Sequence, residues 1–243
     1  AAIIGISKKA FVAGVSASNL AITDADFLTQ VAACYAEAPS DGNCTSAAAG
    51  SSFGTMPDWN TSLITDMSLA FFGKVQFNGN VSSWDTAQVT NMNQMFSYAS
   101  VFNQDISSWD VSQVQDMQQM FFNAAVFNQR IGNWTTSQVT TMQQMFSFAS
   151  AFNEPIGNWN TSLVTNMQQM FFSFTPSVFA QDISTWNGTA ASNPQSEMFT
   201  GATAFSAKFQ CTDQIKGPAR SCGFYPPPPP PPFPLPPPSP PSS

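Results

Sequence analysis

The chain has 243 residues, with 7 Lys plus Arg, 14 Asp plus Glu and no His, for a net charge of -7. That balance excludes the basic stripe that nucleic-acid phosphates demand, and no apolar run approaches the roughly 18 residues of a membrane-spanning helix. Only 9% of residues are charged, with Ser, Thr, Asn and Gln in the polar positions, and a start at Ala1 rather than Met suits a mature chain freed of a signal peptide.

Residues 1–52 form a head without internal repetition. Its first part is largely apolar, with Ile3, Ile4 and Phe11, and is broken by Lys8 and Lys9. Thr23 or Asp24 is expected to cap a helix from about residue 25 to 36 that carries Phe27, Leu28, Val31 and Tyr35. Two readings of the head stand side by side. It covers the exposed end of a repeat array, or its apolar start, through Ile3, Ile4 and Phe11, inserts into a neighbouring subunit.

Residues 53–207 repeat. Trp59, Trp84, Trp109, Trp134 and Trp159 stand 25 residues apart, and Trp186 follows after 27. A period of that length means stacked supersecondary units that bury a shared core. Ile106, Trp109 and Val111 have the spacing of a leucine-rich-repeat strand, with Trp and Val on one inward face. Met117, Met120, Phe121 and Ala124 recur at the intervals of a short helix. Asp66, Asn91, Asp116, Thr141 and Asn166 read as its N-caps, and Gln94, Gln119, Gln144 and Gln169 complete capping boxes. The expected fold is therefore α/β, a leucine-rich-repeat-like solenoid of about six strand-plus-short-helix units. Asn78, Asn103, Asn128 and Asn153 are expected to stack as a ladder that satisfies backbone groups between coils.

These units resemble the BspA-like leucine-rich repeats, also described as the mycoplasma surface-lipoprotein repeat. The shared pattern is Trp-Asp-Val-Ser, Val-Thr, Met-x-x-Met-Phe and Phe-Asn, strongest from Val81 to Phe172. The resemblance implies a cell-surface or secreted protein concerned with adhesion and interaction rather than catalysis. Ala1 does not supply the lipidated N-terminal Cys of the lipoprotein members.

Residues 208–225 are expected to be a C-terminal cap. Cys34 and Cys44 precede the repeats and Cys211 and Cys222 follow them. Four cysteines allow three connectivities, and local pairing is favoured because the ends of a solenoid lie far apart. Neither pair has metal-ligand spacing and no His is present to help, so no metal or cofactor is expected. Residues 226–243 form a polyproline tail after Tyr225, with Phe233 and Leu235 interrupting the prolines. Its composition dictates polyproline II and resembles the hydroxyproline-rich glycoproteins of plant and algal matrices. Tyr225, Phe233 and Leu235 are its candidate assembly residues.

Six N-glycosylation sequons occur, at Asn43, Asn60, Asn80, Asn133, Asn160 and Asn187. Asn60, Asn133, Asn160 and Asn187 adjoin a repeat Trp, so strand alternation turns them outward. Asp85 and Asp110 share a column, but Asn60, Thr135 and Asn160 share it too, which suits a solvated polar face better than a catalytic or calcium pair. No catalytic constellation emerges. The leading expectation is a secreted, glycosylated structural protein that self-associates into a filament or matrix. The alternatives are a cell-surface adhesion module with the tail as stalk, against which glycans on the strand face count, and an intracellular scaffold with reduced cysteines.

Overall fold

The computed structural model describes residues 21–44 and 55–224, so the expectations for Ile3, Ile4, Phe11, Tyr225, Phe233 and Leu235 lie outside the described residues. Its regular elements gather at the two ends. First come β1 (Ala21–Thr23), α1 (Asp24–Glu37) and β2 (Asn60–Leu63), and last α2 (Gly188–Ser192), α3 (Thr203–Lys208), β3 (Phe209–Gln210) and β4 (Gly223–Phe224). Between β2 and α2 the chain is built from turns, and its order comes from bonds between coils of 25 residues. Asp66, Asn91, Asp116, Thr141 and Asn166 form an unbroken series of parallel bridges, each to the same position in the next coil.

The Met-x-x-Met-Phe runs are not helices. In one coil Met92, Gln94, Phe96 and Tyr98 donate their backbone N–H groups to carbonyls of Asp116, Gln118, Met120 and Phe122 in the next, at 2.8–2.9 Å. The intervening Met95, Ser97 and Ala99 donate three residues back, to Met92, Gln94 and Phe96. Consecutive tight turns thus replace the i to i+4 ladder of a helix. They require left-handed residues, which are Gln94, Gln119, Gln144 and Gln169, each at φ 55. A third-residue turn repeat also returns apolar side chains to one side, so Met117, Met120, Phe121 and Ala124 are all buried as their spacing requires.

The glutamines therefore do not close capping boxes. The side-chain amide of Gln94 donates to Gln119 Oε1, Gln119 donates to Gln144 at 2.6 Å and Gln144 to Gln169 at 2.7 Å. Gln169 ends the series on the Glu197 carboxylate at 2.6 Å. A left-handed residue with a side chain costs about 1–2 kcal/mol. Gln119 offsets that through its place in the side-chain ladder and its backbone bond to Gln143, each bond contributing about 0.5–1.5 kcal/mol. The expected N-cap residues do accept the N–H two residues on, as Ser68 on Asp66 at 2.8 Å and Gln118 on Asp116 at 2.8 Å, but these open turns rather than helices.

Around the tryptophans only β2 is a regular strand, although inward and outward positions alternate as expected. Trp109 and Val111 are buried and Asp110 is exposed. Side chains replace backbone bonds here. The indole N–H of Trp84, Trp109, Trp134, Trp159 and Trp186 donates to a carbonyl of the preceding coil at 2.9–3.2 Å. The hydroxyls of Thr61, Thr86, Thr136 and Thr161 donate to carbonyls of the following coil. Inside, rings stack along the coil series, with Trp84 on Trp109 at 6.5 Å and Phe96 on Phe121 at 5.8 Å, and within a coil Phe96 lies on Phe102 at 3.8 Å. The asparagine ladder forms: Asn78, Asn103, Asn128 and Asn153 each accept the N–H of the equivalent residue one coil on, at 2.8–2.9 Å.

At the N-terminal end β1 pairs in parallel with β2, and α1 buries Phe27, Val31 and Cys34. Phe27 meets Trp84 edge-on at 5.6 Å. Leu28, on the same helix, is 46% exposed. Cys34 is bonded to Cys44 and Cys211 to Cys222, which gives each end one short covalent loop. β3 and β4 pair antiparallel beside the second of these.

Candidate functional site

Three surface features follow from this arrangement: the sequon asparagines, the acidic positions of the strand face and a row of exposed aromatic rings. Asn43, Asn80, Asn133, Asn160 and Asn187 are exposed, and Asn60 is half-buried. In Asn60, Asn80 and Asn160 the side-chain oxygen accepts the N–H of the sequon Ser, at 3.2, 3.0 and 3.0 Å. Each bond fixes the side chain through its oxygen and leaves the amide nitrogen, the atom a glycan takes, for solvent. Asn43 differs, because its Nδ2 donates to Asp41 at 2.9 Å. Asn133 and Asn160 both line a shallow depression of 340 Å³ together with Trp134, Thr135, Ser137 and Asn158.

The shared column of Asp85 and Asp110 does not form a paired site. Asp85 accepts the N–H of Ala87 at 3.1 Å, and Asp110 that of Ser112 at 2.9 Å. Bonds from the Ser112 N–H and hydroxyl hold the Asp110 carboxyl below its ordinary range. Both carboxylates thus serve the turns that follow them. Asp24 ties the start of α1 to the residues just after β2. It receives Thr65 N–H at 2.8 Å, Thr65 hydroxyl at 2.6 Å and Asp66 N–H at 3.3 Å. Among the described residues no group of three or more His, Cys, Asp or Glu side chains is placed to hold a metal, and no helix is long and apolar enough to cross a membrane.

The aromatic row was not foreseen. Phe72, Tyr98, Phe122 and Phe148 follow one another at 5.9, 5.2 and 5.5 Å with ring planes 77°, 60° and 80° apart, and Phe148 continues to Phe174 at 5.5 Å. Phe72 is 45% exposed, Tyr98 42% and Phe174 84%, while Phe122 and Phe148 are half-buried. Edge-to-face contact between rings is favourable, and the exposed members of the row add apolar surface on one side of the coils. Tyr98, Phe122, Asn123 and Phe148 line a shallow groove of 210 Å³ in it. A signal for the row exists in the sequence. Phe72-Gly73, Ser97-Tyr98, Phe122-Asn123 and Ser147-Phe148 occupy equivalent positions, so the large ring alternates between two adjacent sites with a period of two coils. The single-coil period of the tryptophans hides that alternation.

A family model described as Mycoplasma protein of unknown function, DUF285, matches residues 43–147 and 127–216. No curated protein and no solved structure matches the chain.

Proposed function

The chain belongs to the DUF285 family of mycoplasma-type proteins, and on that premise we propose that it is a secreted, glycosylated structural protein, a leucine-rich-repeat-like solenoid that assembles with copies of itself into an extracellular filament or matrix. One observation carries this reading: four side-chain ladders tie each coil of the repeats to its neighbour. Asn and Gln bond the same position one coil on, Trp reaches a carbonyl of the preceding coil and Thr one of the following coil. Such an array extends along one axis and devotes its polar chemistry to cohesion, and head-to-tail contacts between arrays generate open fibres when their rotation does not close a ring. A disulfide near each end suits an oxidising compartment. The exposed sequon asparagines offer attachment points for glycans that leave the buried Trp ladder intact.

The adhesion reading draws on the exposed aromatic row, a surface able to hold a protein or a glycan. The two readings separate in purified native material. Fibres in negative stain, with a mass loss on enzymatic removal of N-glycans, are the result expected of the structural protein. Monodisperse monomers that capture a soluble ligand would favour adhesion instead.

A further inference from the structure

The aromatic row repeats on the length scale of a polyproline helix. Its successive rings stand 5.2–5.9 Å apart, which places rings at the same position two coils apart within about 11 Å of each other. A polyproline II helix repeats every three residues, or about 9.3 Å. Phe72 and Phe122 form one such pair, Tyr98 and Phe148 the other, and the two sets interleave in a herringbone. Proline-rich segments dock on aromatic-lined grooves, where ring faces receive the prolines and polar groups receive the unpaired carbonyls. The groove between Tyr98, Phe122 and Phe148 also contains Asn123. Its side-chain amide and the Tyr98 hydroxyl are donors of the kind those carbonyls need.

We propose that the aromatic row Phe72, Tyr98, Phe122, Phe148 and Phe174 is the docking track for the proline-rich segment 226–241 of a second copy of this chain. The inference rests on the self-assembly reading and gives it a contact. The occupant is named by the sequence itself. Seven prolines begin at Pro226, two residues past Phe224, the last residue of β4. Proline fixes φ and lacks an N–H, so the segment's sequence brings carbonyls with few donors of its own to satisfy them. Phe233 and Leu235 add apolar side chains to a track that carries no charged residue among its rings and groove lining. The preformed conformation of polyproline keeps the entropy lost on docking small.

The test uses the full chain with its native modifications. A photoreactive phenylalanine analogue replaces Phe233, and light and heavy-isotope proteins are mixed before irradiation. Crosslinks from position 233 to the aromatic row, joining light to heavy copies, are expected. The control is the double variant Tyr98→Asn, Phe148→Asn. Asn123 already occupies the equivalent left-handed position at φ 55, so this chain's own repeat shows that Asn is tolerated there. The variant should stay folded, with a melt lowered by the lost ring contacts, and lose the intermolecular crosslink by at least about tenfold, the loss of aromatic anchors at the centre of an interface. Crosslinks confined to one copy, crosslinks to surfaces away from the row, or an unchanged yield in the double variant would each overturn the docking. Fibres that form unchanged from the double variant would remove the track and leave self-assembly standing. A full-length native protein that stays monomeric in light scattering would instead remove self-assembly, and the contact between copies with it.

Discussion

Single residues in this chain are held by partners about 25 positions away, and that sets what their replacement does. Trp109 is 4% exposed and donates its indole N–H to Val81 at 3.0 Å. Trp109→Ala should cost about 3–5 kcal/mol, the usual penalty for emptying a large aromatic site. Asp110→Ala, one residue on, should cost about 1 kcal/mol or less, since it removes one exposed turn bond. Chemical denaturation of the two variants checks the contrast, and equal losses would refute the inward placement of the Trp column. Asp24 supplies the pH dependence. Partial burial pushes its carboxyl up, but the hydroxyl and N–H of Thr65 and the N–H of Asp66 outweigh that and hold it below its ordinary value. A lowered folded-state value means that the stabilisation is complete above the unfolded carboxylate range and is lost as pH falls through the folded value. Asp24→Asn should therefore flatten the acid side of the melting-temperature profile while leaving its slope near neutrality unchanged.

At the scale of elements, the legible and illegible parts of the sequence divide along a physical line. Burial was legible, because a 25-residue period forces equivalent residues into equivalent places whatever the backbone does between them. Trp109, Val111, Met117, Met120 and Phe121 are inside for that reason. The asparagine ladder and α1 followed from the same kind of local chemistry. The helix in each unit was not legible. Spacings of three and four are shared by helices and by runs of tight turns, and the deciding fact is the left-handed backbone at Gln94 and its equivalents, which a helix cannot contain. Glutamine reads as a capping partner in one coil, and only its stacking on the next coil shows it to be a ladder residue. The terminal elements carry a direct prediction. Reducing Cys34–Cys44, which ties the last turns of α1 to the segment that follows it, should lower stability by about 2–3 kcal/mol. Hydrogen exchange should show faster opening of α1 than of the coils around Trp134. Uniform loss across both would mean that the end and the repeats unfold as one unit.

For the whole molecule, the ladders explain cohesion along one axis, and on the proposed reading the aromatic row and proline segment join one copy to the next. The sequon asparagines and the row differ in chemistry, so that reading has a copy solvated at one place and joined at another. The candidate surface was only half visible in sequence: the sequons are short local motifs, whereas the row depends on rings from alternating positions meeting across coils. Self-assembly is the claim on which the functional account turns, and negative-stain imaging of native full-length protein beside the same protein truncated after Tyr225 tests it most directly. Fibres from the full chain and folded, unassembled particles from the truncated one are the expected result. Unassembled particles from both, with native modifications intact, would contradict the account.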